Sequence, residues 1–392
     1  MARDSTSSLL DLGDVVAAAA DVAATVLRGD AEEVDREARW PARSIAAVRE
    51  AGLGGIVVPR AHGGLDHGLL AVARVCETLG RECASTAICV GMHYVATAVI
   101  AAKATPDHVE RYLEPIAQGS HFTTLALSEP GTGAHFYIPQ TTAEETDADT
   151  IVVNGTKTFV TNGGHADSYV ISVAAGGERE AGLFSCVVLP GDAAGLSWGA
   201  PWQGLGMRGN DSRSLTLEDV RLERRQLLGS HGDEIWYVFN VIAPYFLVAM
   251  AGTYLGVATA AFEEARTHLL NRRYATGGGA LARQPVLQHR IGAMWAWLER
   301  TRRLVYFAAE AADAGHDDAL PALCSAKAEV ADCAVGIANE ALTLTGGIAY
   351  RESSRLSRCL RDARAAHVMA PTTDMLRTWT GRALLELPLL SD

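Results

Sequence analysis

Leu125-Ala126-Leu127-Ser128-Glu129-Pro130-Gly131-Thr132-Gly133-Ala134-His135 decides the fold together with Asn154-Gly155-Thr156-Lys157-Thr158-Phe159-Val160-Thr161-Asn162-Gly163. Each joins a run of aliphatic or β-branched residues to a glycine-rich break, the pattern of a strand feeding a loop. Further β-rich runs lie around them, at Thr150 to Val153, Tyr169 to Ala174, Leu183 to Leu189 and Leu215 to Leu222. Asn154-Gly155, between Ile151-Val152-Val153 and Thr158-Phe159-Val160, predicts a hairpin. Residues 122–231 therefore predict a small antiparallel barrel or sandwich.

Helical patterns flank this zone. Val15, Ala19, Val22 and Val26 share one helical face, and Ile45, Val48 and Leu53 continue a segment that stops at Gly54-Gly55. Val72 to Leu79 and Ala87 to Ala102 predict further helices. After Asp233 come four long segments apolar on one face: Ala249 to Leu270, Val286 to Ala312, Leu320 to Leu344 and Thr373 to Leu385. They predict a four-helix bundle, with Gly277-Gly278-Gly279 as a short loop between two of them. The expected class is α+β and mostly α: an N-terminal helical domain (1–121), a middle antiparallel β-barrel domain (122–231) and a C-terminal four-helix bundle (232–392).

Composition narrows the function. The 392 residues carry a formal charge of −12, which argues against a nucleic-acid or anionic-membrane binder. The seven cysteines are scattered with no Cys-x-x-Cys pair, so neither a disulfide framework nor a metal site is expected. Asp4, Asp11 and Asp14 replace the basic start of a signal peptide, and the apolar run Ala17 to Val26 is too short to span a bilayer. No membrane association is expected, and a cytoplasmic setting is the default.

The order of zones and the two quoted stretches resemble the acyl-CoA dehydrogenase family over almost the whole chain. The resemblance implies FAD as cofactor. It implies that Leu127, Ser128, Gly133 and Ala134 lie along the flavin, with Ala134-His135 standing where the family commonly has Ser-Asp. It implies that Phe159 stacks near the ring and that Thr161 lies near its reactive nitrogen. Taken alone, the first stretch reads equally as a glycine-rich turn, and the second as strands around a core Phe. Gly206-Met207-Arg208-Gly209-Asn210-Asp211-Ser212 resembles the turn that helps place a substrate thioester, or is a structural turn. Arg272 matches an arginine that reaches the cofactor pyrophosphate of a neighbouring subunit, a task suited to a guanidinium. Gln284, the Thr343 to Gly347 stretch with Gly346 and Gly347, and Thr372 fall where the family completes the cofactor site; each also reads as a helix end or packing turn. The same match implies a homodimer or homotetramer.

The family's base does not follow. Desaturation of a thioester needs a group that removes the α-proton. Counting from Arg361-Asp362-Ala363-Arg364, the family's Glu position holds Ala370, followed by Pro371-Thr372. The alternative position used by some relatives falls near Phe246 or Leu247, and Val241 to Leu255 contains no acidic residue. His93 becomes the first candidate base, because an imidazole titrates near neutrality; a hydrogen-bonded core histidine is the competing assignment. His367, Asp374 and Tyr245 follow. Three functions remain open. One is oxidation of an acyl thioester, carried on CoA or a carrier protein, with an electron-transfer flavoprotein as acceptor. The second is an oxygen-using monooxygenase served by a flavin reductase. The third is a degenerate subunit of a heteromeric complex.

Overall fold

The computed structural model describes residues 10–133, 135–175, 184–230, 232–273 and 279–390. Asp11 starts the first helix through a reciprocal capping box with Asp14. α1 (Leu12–Val22) runs into α2 (Arg28–Glu37) through one wide turn, Ala23–Leu27. That extra residue rotates the apolar face, so Leu27 is buried while Val26 is only half-buried. α3 (Ala42–Glu50) ends before Gly52, whose left-handed φ of 73° breaks the helix ahead of the expected Gly54-Gly55. α4 (Leu69–Gly80) and α5 (Ala84–Ala102) follow, and α5 is buried in all but its last two residues. α6 (Pro106–His108) and α7 (Glu114–Ala117) close the N-terminal region.

The middle region holds β1 (Thr123–Ala126), β2 (Thr142–Glu145), β3 (Thr150–Val160), β4 (Ser168–Ala175), β5 (Phe184–Pro190), β6 (Leu196–Trp198), β7 (Arg213–Glu223) and β8 (Leu227–Leu228). They form one sheet in the order β6-β7-β3-β2-β4-β5-β8, with β1 beside β4. The sheet is mixed, since β1 and β2 both run parallel to β4. The expected hairpin at Asn154-Gly155 is absent, because both residues lie inside the continuous strand β3. Long-range contacts decide this. Asn154 Oδ1 accepts from the Asp219 N–H at 2.7 Å, and the pairing with β7 shifts register between Val153 and Gly155. A Cβ on Gly155 would sit 2.5 Å from Thr141 Oγ1, so the glycine permits a close crossing rather than a turn.

The C-terminal region contains α8 (Glu234–Tyr237), α9 (Ala243–Asn271), α10 (Pro285–Asp313), α11 (Ala319–Thr345), α12 (Arg355–Val368) and α13 (Thr373–Leu384). The four expected long helices are α9, α10, α11 and α13; α12 is the addition, packed on α9 and α11. Of the Gly277 to Gly279 loop, Gly277 and Gly278 lie outside the described residues. α9 also packs on α4 and α5, which joins the N- and C-terminal helices into one core. Two helical runs, Ala84–Ala102 and Ile235–Asn271, are long and apolar enough to cross a bilayer, but 94% and 83% of their apolar windows are buried inside the protein. Their hydrophobicity is spent on that core.

Candidate functional site

The glycine-rich loop after β1 is built on a buried ion pair that its sequence did not advertise. Lys157 Nζ donates to Glu129 Oε1 at 2.6 Å and to the backbone oxygen and Oγ of Ser172 at 2.6 and 2.9 Å. Glu129 also accepts from the Thr141 N–H at 3.1 Å. Burial pushes the Glu129 carboxyl up, but the Lys157 charge and these hydrogen bonds outweigh it and hold the carboxyl below its ordinary range. The Thr158 N–H donates to the Ser128 carbonyl at 2.7 Å, so the loop is tied directly to β3. Gly131 and Gly133 have φ of 82° and 51°, with open space where a Cβ would stand. The Ser128 hydroxyl has no partner among the described residues. Leu127 is buried beneath the loop, and Ala134 lies outside the described residues.

β3 supplies the facing surface. Its register against β7 shifts between Lys157 and Val160, a bulge that turns Phe159 outward. Phe159 has φ 54° and is 67% exposed, an unusual pairing of left-handed backbone and bared aromatic. Among the aromatic rings of the described residues only that of Trp202 meets it, edge-on at 6.2 Å. Thr161 is buried, with its hydroxyl 3.2 Å from that of Ser212. Asn162 and Gly163 donate their N–H groups to the carbonyls of Asn210 and Asp211, which welds this strand end to the 206–212 turn. Asp362 on α12 accepts the Met207 N–H at 2.7 Å, and burial raises its pKa to about 6.

His93, the first candidate base, is placed as an internal brace. It is buried in α5, stacked on Phe122 at 4.6 Å. The Thr123 N–H donates to Nδ1 at 3.1 Å and Nε2 donates to the Gly54 carbonyl at 3.1 Å, which assigns the neutral Nε2–H tautomer. Burial lowers its pKa to about 4. Neither ring nitrogen is left to receive a proton from a ligand.

The turn that follows α12 holds Met369, Ala370, Pro371 and Thr372, and Thr372 caps α13 by accepting from the Met375 N–H. No carboxylate stands at residues 369–372. Lys327 of α11, fully buried, donates from Nζ to the carbonyls of Ala366, Met369 and Pro371. Of the remaining base candidates, His367 Nε2 is held 3.0 Å from Asp332, Asp374 is exposed in the first turn of α13, and burial raises the Tyr245 phenol to about 12. Lys327, Glu129 and Asp362 escaped the sequence reading. The available signal for Lys327 was a single charge on the apolar stripe of α11 with Leu323, Val330 and Ala334.

Arg272 lies elsewhere, in a cleft of about 760 Å³ with Glu264, His268, Asn271, Gly347 and Arg355. Arg355 neutralises Glu264 at 3.0 Å, while Arg272 has no ion-pair partner among the described residues. Gly346 and Gln284 flank this cleft without lining it: Gly346 adjoins Gly347 and Gln284 caps α10. None of Leu127 to Gly133 or Phe159 to Thr161 lines it. The expected cofactor residues thus fall into two separate groups on one chain, candidate half-sites, with Thr372 at the turn before α13. Both have a ligand's chemistry: one has backbone donors, a free hydroxyl and a bared aromatic, the other a free guanidinium. These groups fit a dinucleotide flavin, whose ring and pyrophosphate need those two kinds of contact.

Sequence profiles for the N-terminal, middle and C-terminal domains of acyl-CoA dehydrogenases match residues 12–120, 124–220 and 246–385. Cyclohex-1-ene-1-carbonyl-CoA dehydrogenase of Geobacter metallireducens is 29% identical over 93% of this chain and 95% of its own length. Butyryl-CoA dehydrogenase of Megasphaera elsdenii superposes with a TM-score of 0.90 at 24% identity, covering 95% of this chain and 98% of that one. The same fold is shared by the prolyl acyl carrier protein oxidase AnaB (TM-score 0.85, 23% identity, 95% and 98% covered) and by FMN-bound TdsC of Paenibacillus (0.86, 22%, 96% and 99%). The chain belongs to the acyl-CoA dehydrogenase family of flavin-dependent oxidoreductases.

Proposed function

We propose that this protein oxidises an acyl group held as a thioester on CoA or a carrier protein, without a carboxylate base at position 370. The carrying observation is the preserved loop side: the Glu129–Lys157 lock, the unpartnered Ser128 hydroxyl and the outward Phe159. FAD, when bound, supplies the hydride acceptor. The Gly131 to Gly133 backbone and the Ser128 and Thr161 hydroxyls hold it, and Phe159 with Trp202 covers it from water. Arg272, with Gly346, Gly347 and Gln284, serves the pyrophosphate and adenosine end. Because the two half-sites lie apart on one chain, a second copy completes each cofactor site, in a homodimer or homotetramer. The bared Leu270, Val286 and Trp295 on α9 and α10 suit such a contact. Electrons pass on to an electron-transfer flavoprotein, and the setting is cytoplasmic.

A specific observation favours a second reading. Ala370, the acid-free start of α9 and the sealed His93 leave those three positions without an acceptor for an α-proton. An oxygen-using reaction fed by a flavin reductase needs none. Anaerobic titration of the FAD-loaded protein with a panel of acyl thioesters separates the two. Bleaching of the oxidised flavin band by one thioester is the expected result. No bleaching by any thioester, followed by oxygen uptake with a reductase present, would replace the first reading with the second.

A further inference from the structure

Lys327 sits in the middle of α11 with no exposed surface. Moving an ammonium out of water costs several kcal/mol, so a buried lysine ordinarily faces a carboxylate. Among the described residues none lies within ion-pair reach of this one, and burial alone lowers its pKa, to about 8. Its three N–H bonds go instead to the carbonyls of Ala366 at 2.8 Å, Pro371 at 2.9 Å and Met369 at 3.0 Å. An ammonium has three donors, so the set is complete. The Ala366 and Met369 carbonyls belong to the end of α12, where the helix dipole favours a cation. On α9, the Tyr254 hydroxyl lies 3.0 Å from Met369 Sδ and holds the same residue a second time.

This bonding has a directional consequence. In a trans peptide the carbonyl and the following N–H point opposite ways. With the Met369 and Pro371 carbonyls turned toward Lys327, the N–H groups of Ala370 (by the 369–370 peptide) and Thr372 turn away from α11. Neither N–H donates to another backbone group among the described residues. We propose that Lys327 is the positioning residue of the Met369–Thr372 turn, setting the orientation in which the wall bearing Ala370 faces bound cofactor and substrate. That the turn is such a wall rests on the function proposed above; that Lys327 orients it does not.

The test compares FAD-loaded wild type with Lys327→Met, Lys327→Gln and Lys327→Arg by amide hydrogen exchange and by visible circular dichroism of the flavin. The Met variant should speed exchange at residues 367–376 by at least about tenfold, because charge-assisted hydrogen bonds are lost. α10 should be unchanged, the flavin dichroism should alter, and Gln should fall between Met and wild type. Arg, which keeps charge and donors, should restore both signals in part. Exchange that rises uniformly through the bundle, or local acceleration with unaltered dichroism, overturns the proposal in favour of a purely structural lysine. If Met does not fold, the Gln and Arg variants decide by the same criteria. If wild type binds no FAD, the functional reading fails, while the exchange pattern still tests the role of Lys327.

Discussion

Two lysines are fully buried in this protein, and they are buried in opposite ways. Lys157, under the glycine-rich loop, faces the Glu129 carboxylate. Lys327, under the Ala370 turn, faces carbonyls alone. The first lock is close to neutral, and the second leaves a net positive charge inside the fold. The contrast follows the chemistry of the two sides. The loop side pairs its buried cation with an acid, while the turn side has no acid at residues 369–372 and a cation that braces it.

The largest effect is expected from restoring what the turn lacks. Ala370→Glu places a carboxylate on the braced turn, and a positioned general base contributes roughly 10²–10⁴-fold. Deuterium exchange at the α-carbon of a bound thioester should rise by that order over wild type. A flat result would break the comparison, because it would mean that residue 370 does not face the α-carbon.

The next experiment sharpens the difference between the locks. Glu129→Gln strands a buried ammonium, for which the expected cost is about 3–5 kcal/mol in urea unfolding, with loss of FAD. Lys327→Met strands no charge and leaves three carbonyls short of a donor, so its cost should be smaller, about 1–3 kcal/mol. The pH dependence has a definite sign. The folded-state pKa of Glu129 is depressed, so its contribution is present above the unfolded carboxylate range and is lost as pH falls through the folded value. Wild type should therefore lose its advantage over Glu129→Gln on acidification. Equal costs for the two variants, or an advantage that persists in acid, would erase the distinction.

His93 is a third kind of lock, neutral and uncharged. Its pKa falls from an ordinary 6.5 to about 4, so the unfolded chain binds the extra proton first as pH drops. Stability from this group is present above pH 6.5 and declines between 6.5 and 4, by about 3 kcal/mol in all. Asp362, raised to about 6, works in the opposite direction between 3.8 and 6 and offsets part of the histidine's effect in the raw profile. The difference between wild type and His93→Gln isolates the histidine and should shrink across that window. A constant difference would mean that His93 titrates normally and is open to solvent, which would return it to the list of bases.

Much of the architecture was legible because periodicity and glycine placement are local. The long helices α9, α10 and α11 follow from their apolar stripes, and the loop after β1 from its glycines. The hairpin at Asn154-Gly155 failed for a nonlocal reason: Thr141 and Asp219, distant in sequence, hold those residues inside a strand. The locks were hidden differently. Glu129, Lys157 and Lys327 have the composition of surface residues, and only their partners across the fold make them interior. His93 stood first among the base candidates because a sequence gives a residue's intrinsic pKa and not its burial.

The smallest effect concerns Phe159, where fold stability and function should separate. A left-handed φ costs a non-glycine residue roughly 1–2 kcal/mol, and glycine escapes that cost while losing more backbone entropy on folding. Two-thirds exposed and in ring contact only with Trp202, Phe159 has little packing to give up. Phe159→Gly should leave unfolding stability within about 1 kcal/mol of wild type, with any change toward greater stability. FAD affinity should fall, because the aromatic surface at the bulge is gone. The bulge in β3 then reads as strain retained for a ligand. A stability loss above about 2 kcal/mol with unchanged FAD affinity would make Phe159 an ordinary packing residue and leave the bulge without a ligand to justify it.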